Sequence, residues 1–148
     1  MPVFSSQISN LATVGPVLDG ELRPGRDAQQ AIQKAGTPVS SPVKIVALID
    51  TGASISVIQQ GLAQQLAVHP VGIQHITTPS SQAVPCHQYA LQLTLQATGG
   101  IKGTVAFDAL FTEAPLLGQN IQCLLGRDFL AHGVFMYTGP TNSFVLSF

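Results

Sequence analysis

ALIDTGAS, residues 47–54, is the most informative segment of the sequence. It places one carboxylate, Asp50, at the end of an apolar run and follows it with a hydroxyl and a glycine. Burial of a carboxylate is costly unless the group is paired or hydrogen-bonded. A helix cap or a turn acceptor would give Asp50 a structural role. The small residues after it let backbone amides approach closely, which leaves room for a chemical role.

The residues around Asp50 predict a strand, a turn and a helix. VKIVALI, residues 43–49, is rich in β-branched side chains and almost wholly apolar, as expected of a strand covered on both faces. Apolar residues then recur every four positions and predict a helical stretch within residues 56–68, which Gly61 weakens by about 1 kcal/mol relative to alanine. Asp50 is thus expected where a buried strand ends.

The rest of the chain predicts mostly strands. Alternating apolar and polar residues predict a strand within residues 15–25, a long hairpin over residues 72–96 and a strand over residues 103–111. A terminal hairpin is expected to join residues 134–137 to SFVLSF, residues 143–148. The chain should therefore be mostly β structure.

The sequence also predicts two short helices. In DAQQAIQKAG, residues 27–36, Asp27 is expected to cap the helix and Gly36 to end it, on the periphery of the fold. A second helix is expected in RDFLAHG, residues 127–133, closed by Gly133.

Two motifs, in this order, resemble the retropepsin-like aspartic proteases. ALIDTGAS is similar to the active-site loop of that family. LLGRDFL, residues 124–130, is similar to the hydrophobic pair, glycine and short helix that such domains carry near the C-terminus. The spacing between the motifs accommodates a flap hairpin. The resemblance covers residues 43–148, the expected protease core, and residues 1–42 are expected to add an N-terminal strand and a helical insertion to the same domain.

The resemblance implies an all-β fold. It consists of a closed retropepsin-like β-barrel with one or two short helices, a flap hairpin and a terminal-strand sheet that joins two copies. The loop bearing Asp50 would pass beside Leu124, Leu125 and Gly126, where glycine permits close packing. SFVLSF would supply the dimer sheet, and the alternative is a plain edge strand in a monomeric barrel.

The chemistry of such a protease explains why a single motif is informative. Peptide hydrolysis by aspartates needs two carboxylates that share a proton, one accepting a proton from water while the other donates to the carbonyl oxygen. This chain has one DTG. Asp108, Glu113 and Asp128 are poor partners, because they are predicted to lie in a strand, a loop and a helix. The second carboxylate is therefore expected to be Asp50 of another copy, in a twofold homodimer.

The roles of the family carry over onto matching positions. Asp50 would be catalytic, Thr51 would bond across the twofold axis, and Gly52 would offer backbone contacts. The residues expected to contact a polypeptide substrate lie after Gly52 and at the flap tip: Ala53, Ser54, Thr78, Pro79, Ser80 and Ser81. The residues expected to support the active-site loop are Leu125, Gly126 and Arg127.

Two departures from the family pattern concern substrate binding. TTPSSQ, residues 77–82, stands where a glycine-rich flap tip is usual, and no glycine occurs between Gly72 and Gly99, so a stiffer flap is expected. Ser54 replaces an aspartate that often pairs with the arginine of the second motif. Arg127 therefore loses that partner.

Composition excludes several classes of protein. At 148 residues the chain is expected to be one domain, and its 9% charged and 45% hydrophobic residues favour an apolar surface covered by a subunit contact. A net charge of −1 without a basic cluster argues against nucleic acid as a partner. No signal peptide and no apolar run of about 20 residues is evident, so no membrane association and a cytoplasmic location are expected.

Other chemistries are poorly supported. Cys86 and His87 are neighbours on a predicted strand and point to opposite faces, so they cannot form a nucleophile and base within one subunit. The four histidines lack zinc-site spacing, and no metal or cofactor is expected. The sequence therefore predicts an aspartic endopeptidase that uses a water molecule and an Asp50 pair. The alternative is a catalytically silent module that dimerises or binds peptide, and a regulatory or self-processed segment in the first forty residues stays open.

Overall fold

The computed structural model describes residues 2–78, 81–97, 103–116 and 120–148. Its ten strands are β1 Val3–Gln7, β2 Val17–Pro24, β3 Val43–Ile49, β4 Val57–Gln59, β5 Gly72–Thr78, β6 Ser81–Ala97, β7 Gly103–Ala114, β8 Cys123–Leu125, β9 Val134–Thr138 and β10 Ser143–Ser147. Its helices in the described residues are α1 Leu11–Val14, α2 Arg26–Lys34, α3 Leu62–Gln65 and α4 Arg127–Leu130, with a 3₁₀ turn at Gly139–Thr141.

Six strands form a closed barrel. Their order is β2, β3, β8, β4, β7 and β6, and pairing of β2 with β6 closes the ring. Strand β5 pairs with the outer part of β6 and makes the long hairpin that the sequence predicts. The all-β barrel with a flap hairpin and few short helices is thereby confirmed.

The barrel core follows from the period-two pattern of the strands. Tyr89, Leu91 and Leu93 alternate with polar residues along β6 and are buried, as predicted. Strand β3 buries Ile45, Ala47 and Ile49 on one face, whereas its other face is only half covered. Each fully buried leucine or phenylalanine contributes about 1.5–3 kcal/mol relative to an exposed one.

A second sheet contains strands from both ends of the chain. Its order is β1, β10, β9, with both pairs antiparallel, and it buries Phe4, Phe144 and Leu146. The pairing of β1 with β10 was not predicted. Strand β10 is hydrogen-bonded on both sides by its own chain, so it has no open edge.

The helical insertion begins two residues earlier than predicted. The N-cap of α2 is Gly25, and Asp27 makes no capping hydrogen bond. Instead the carboxylate of Asp108, on β7, accepts a hydrogen bond from the Arg26 amide at 3.0 Å. It also forms an ion pair with the Arg26 guanidinium at 3.2 Å. Gly36 ends the helix with φ +72°, as predicted. No residue of α2 is buried, so the helix is peripheral, as predicted.

The helix predicted within residues 56–68 is mostly wrong. Residues 57–59 form strand β4, and only Leu62–Gln65 is helical. Gly61 adopts φ +95°, a left-handed conformation that breaks a helix and that side chains rarely adopt. Spacing alone could not distinguish a short buried strand from a helical turn.

Candidate active site

Asp50 lies at the end of β3, where the chain leaves the barrel. Strand β3 runs parallel to β8 and Ile49 pairs with Leu125. The Asp50 amide continues that ladder by donating to the Leu125 carbonyl at 3.0 Å. The side chain is half-buried. The predicted contact between the two motifs is therefore a direct backbone hydrogen bond.

The turn after Asp50 holds its carboxylate from one side. The Gly52 amide donates to Asp50 Oδ1 at 2.9 Å, and the Ala53 amide donates to the Asp50 carbonyl at 3.2 Å. A Cβ atom at position 52 would lie 3.1 Å from the same carboxylate oxygen, so the turn is tight. Within the described residues, Asp50 Oδ2 has no hydrogen-bond partner. One oxygen of the carboxylate is thus oriented and the other is open.

Gly126 brings the second motif against this loop. A Cβ atom at position 126 would lie 2.6 Å from the carbonyl carbon and oxygen of Ile55 and 3.1 Å from the Ala53 carbonyl oxygen. Real Cβ atoms do not approach that closely, so only glycine fits here without a backbone shift. The Gly126 amide also donates to Ser56 Oγ at 3.1 Å.

Arg127 binds the backbone of the loop in place of the absent aspartate. Its Nη1 donates to the carbonyl oxygens of Thr51 at 2.9 Å and Gly52 at 3.2 Å, and its amide donates to the Ala53 carbonyl at 2.9 Å. Guanidinium groups present several donors in a fixed plane, which suits two adjacent carbonyls. The arginine therefore restrains the two residues directly after Asp50.

Asp128 is a supporting residue that sequence reasoning missed. Its Oδ2 accepts the Ser56 amide at 2.8 Å, and its Oδ1 accepts the Ser56 hydroxyl at 2.7 Å and the Phe129 amide at 2.8 Å. The Gly126 amide, the Ser56 hydroxyl and the Asp128 carboxylate thus form one chain of hydrogen bonds. An acid in the first turn of a short helix was the available signal, but it did not identify Ser56 as the partner.

The remaining acids are placed on other elements. Glu113 lies in strand β7 and is buried, so its assignment to a loop was wrong. It accepts the Gly61 amide at 2.8 Å and a hydrogen bond from Tyr89. Burial and the neighbouring Glu113 carboxyl raise the pKa of Tyr89 above its usual value. Asp108 binds Arg26, as described above.

All seven acidic residues of the chain lie within the described residues, and no second carboxylate accompanies Asp50. The three not yet placed are on β2 and α2: Asp19, Glu21 and Asp27. The active-site loop of one chain therefore holds a single carboxylate, that of Asp50.

The predicted flap residues are only partly described. Thr78 pairs with Ser81 across the end of the β5–β6 hairpin, beyond an irregularity in the register at residues 76–78. Pro79 and Ser80 lie outside the described residues. The structure thus brings Thr51, Gly52, Ala53 and Ser54 together with the second motif. The substrate contacts assigned to these residues and to the flap stay predictions.

A cavity of about 650 Å³ borders the active-site loop. Ile55 and Ser56 line one side, and Phe107, Leu110 and Phe129 line the apolar remainder. Gln88, from the base of the flap hairpin, completes its rim. The cavity lies between the active-site loop, the flap strand and α4, where an extended peptide could place a side chain.

The two cysteines are not joined to each other. Cys86 and Cys123 are both free thiols, and burial raises the pKa of Cys123 well above its usual value, which disfavours the thiolate. In the described ranges, no group of three histidine, cysteine, aspartate or glutamate side chains gathers as a metal site would require.

Comparison with known proteins agrees with this geometry. The family model described as "Aspartyl protease" matches residues 36–129, well over half of the chain, including ALIDTGAS and all but the last residue of LLGRDFL. The chain belongs to the aspartyl protease family. A solved structure similar to this aspartyl protease is the crystal structure of a retropepsin-like aspartic protease from Rickettsia conorii. It shares 14% identity at a TM-score of 0.49, over 97% of this chain and 92% of the other. A comparison with curated proteins found no match.

The helices of this family member are short. None in the described part of the chain has the length and apolar character to cross a bilayer.

Proposed function

We propose that this aspartyl protease is an endopeptidase whose catalytic dyad consists of Asp50 from two copies of the chain. The proposal rests on which acidic side chains already have hydrogen-bond or ion-pair partners. Asp50 has one open oxygen at the mouth of the barrel, whereas Asp108, Glu113 and Asp128 are bound to other groups. A hydrolytic site built from carboxylates therefore needs a second Asp50.

The dyad would work by sharing one proton. Two carboxyl groups at hydrogen-bonding distance cannot both ionise readily, so one stays protonated and the other ionised. The ionised Asp50 accepts a proton from a water molecule that attacks the scissile carbonyl, and the protonated Asp50 donates to the carbonyl oxygen. The tetrahedral intermediate then collapses as the amine leaves with a proton.

The neighbouring residues suit this arrangement. The Thr51 side chain is exposed, and within the described residues its hydroxyl has no partner, so it is available to bond across the twofold axis. Gly52 and Arg127 hold the Asp50 carboxylate and the following backbone in one orientation. A carboxylate that is already held in one orientation needs less free energy of reorganisation to reach the transition state.

The substrate would be an extended polypeptide. Ala53 and Ser54 would contact its backbone, and the residues at the flap tip, Thr78, Pro79, Ser80 and Ser81, would cover it. The cavity beside Ile55 and Phe129 would accept an apolar side chain, because its walls are largely aromatic and aliphatic.

The test is turnover of an unbiased peptide library between mildly acidic and neutral pH. Wild-type protein should cut peptides and be inhibited by a statine-type compound. Asp50→Asn should lower the rate at least about 1,000-fold, because the substitution removes both acids of the dyad and with them both proton transfers. Asp27→Asn makes the same chemical change on the exposed helix α2 and should keep full activity.

Two results would overturn the proposal. Equal cutting by wild type and Asp50→Asn would show that another group performs the hydrolysis. No cutting by either, with a folded dimer present, would favour the catalytically silent peptide-binding or dimerisation module.

A further inference from the structure

Strand β7 is paired along only part of one of its edges. We propose that the open part of that edge is an exosite, at which a stretch of the substrate remote from the scissile bond adds to β7 as a further strand. This inference rests on the proposed function, because it concerns how the peptidase holds its substrate. It assigns a second peptide-binding groove beyond the catalytic dyad.

The pairing of β7 shows which edge is open. Residues 103–112 pair with β6 on one side in a regular antiparallel register. On the other side, β4 pairs only with residues 112–114. In the described parts of the chain, no strand pairs with that second edge along residues 103–111. The open edge therefore continues directly from the short ladder between β4 and β7.

Backbone groups along the open edge lack partners. The Thr112 amide donates to the Ser56 carbonyl at 3.1 Å, on the side away from β6. Alternate residues of a strand direct their backbone groups to the same edge, so those of Leu110, Asp108 and Ala106 share this side. Among the described residues, no hydrogen bond reaches these three amides or carbonyls. A row of free donors and acceptors is complementary to another extended backbone.

Burial along β7 changes where β4 ends. Thr112, which pairs with Val57 of β4, is only 1% exposed. Leu110, two residues earlier on the same face, is 49% exposed. A strand added in line with β4 would shield the Leu110 side chain and remove apolar surface from water.

An apolar cavity lies beside the open edge. The cavity of about 650 Å³ described above is lined by β7 itself, through Phe107, Ala109 and Leu110, and also by Phe129 and Phe148. Side chains of an added strand would alternate between the two faces of the sheet, so every second one would lie on the side of Phe107 and Ala109. The expected occupant is therefore an extended peptide with apolar residues at alternate positions.

The usual protection of an open edge is weak here. Edge strands are commonly guarded by a lysine, a proline, a bulge or an unpaired charge. Residues 103–114 contain neither lysine nor proline, and their register with β6 is regular. The charged side chain within residues 103–111, that of Asp108, already forms an ion pair with Arg26. Nothing in this part of β7 therefore opposes a further strand.

The groove adjoins the active-site loop. Ile55 and Ser56 line the cavity, and they follow Asp50 by five and six residues. Five residues of fully extended chain span at most about 18 Å. A substrate held at Asp50 would therefore reach the groove with residues up to about five or six positions from the scissile bond. These residues would raise the affinity for long substrates without taking part in the hydrolysis.

The first experiment removes one outward amide and leaves the β6 ladder intact. Leu110→Pro eliminates an amide that has no partner in the described fold, and proline is tolerated at such edge positions. The matched variant Leu110→Ala shortens the same side chain and keeps the amide.

The readout is kcat/KM for a short peptide that the enzyme cuts and for the same peptide lengthened, at one end at a time, by about six residues alternating leucine and threonine. For the lengthened peptide, kcat/KM should fall about tenfold in Leu110→Pro and no more than about threefold in Leu110→Ala. Both variants should cut the short peptide as wild type does.

The second experiment requires neither the proline variant nor cleavage. Amide hydrogen exchange is followed in Asp50→Asn protein before and after addition of a peptide of about ten residues alternating leucine and threonine. The amides of Ala106, Asp108 and Leu110 should gain protection, whereas those of β9 should not. As a matched control, the same peptide is N-methylated at every second amide. Methyl groups on the side facing β7 should abolish the protection, and methyl groups on the opposite side should not.

The outcomes separate this inference from the proposed function. If Leu110→Pro cuts the lengthened peptide as wild type does and the three amides stay unprotected, the groove is wrong while the peptidase stands. If the peptide protects the amides but wild type cuts no peptide, the groove stands and the peptidase is wrong. Equal binding of both methylated peptides would overturn the added strand. Protection that appears without peptide and rises with protein concentration would assign the edge to a second copy and would also overturn the inference.

Discussion

The active-site loop, residues 50–56, and the edge of β9 are opposite in character. In the loop, the backbone is held from within the same chain by a hydrogen bond that Arg127 donates to Thr51 and by one that Asp128 accepts from Ser56. The edge of β9 exposes apolar side chains and has no strand beyond it in the described sheet. In the proposed function, each chain orients its own Asp50 carboxylate and a second copy supplies the other acid. The predictions below separate these two contributions.

The largest effect is expected from Gly126→Ala. The added Cβ would lie 2.6 Å from the Ile55 backbone, which cannot move aside as a flexible side chain could. Unfolding free energy should fall by about 3 kcal/mol, and activity should fall at every protein concentration. Thermal and denaturant unfolding measure the change in unfolding free energy. Peptide turnover over a range of protein concentrations measures the change in activity. Wild-type stability in this variant would contradict the close packing.

A somewhat smaller effect is expected from Asp128→Ala. It leaves the buried Ser56 amide and hydroxyl without their acceptor, which should cost about 2–3 kcal/mol of unfolding free energy. Asp128→Asn retains one acceptor oxygen and should recover part of that loss.

The two Asp128 variants should destabilise the loop without weakening the association of two copies. Their dimer dissociation constants, measured by sedimentation on the folded protein, should equal that of wild type. If the dimer dissociation constant rose as the unfolding free energy fell, the loop and the surface that joins two copies would be coupled.

Arg127→Ala should have a moderate effect. The side chain is exposed, and its two bonds to the Thr51 and Gly52 carbonyls should stabilise the fold by only about 1 kcal/mol. The larger consequence should be on kcat, because the backbone after Asp50 loses a restraint, whereas KM should change little. Steady-state kinetics check this, and a change confined to KM would place Arg127 in substrate binding.

The smallest effect concerns pH. Burial and Glu113 raise the pKa of Tyr89, so the folded state holds the phenolic proton more tightly than the unfolded state does. The stability this provides is fully present below the ordinary tyrosine pKa of 10.0 and is lost as pH rises through the folded value. Tyr89→Phe should flatten that alkaline decline in unfolding free energy, and an unchanged slope would contradict the assignment.

Much of the fold was predictable because its signals are local. Alternation along β6 and the position of Asp50 after an apolar strand depend on neighbouring residues, and both predicted the observed elements. The four-residue spacing of apolar side chains misled the helix prediction, because residues 57–59 pair with β7 and β8, which lie more than fifty residues later. The roles of Asp128 and of β1 also depend on contacts distant in sequence, with Ser56 and with β10.

The most direct test of the central claim mixes wild-type protein with Asp50→Asn under conditions in which subunits exchange. If each active site needs Asp50 from both copies, an equal mixture at constant total concentration should retain about one quarter of the wild-type activity, since about one quarter of randomly paired dimers hold two Asp50 residues. Retention of one half would show that a single chain carries the chemistry, and would contradict the account.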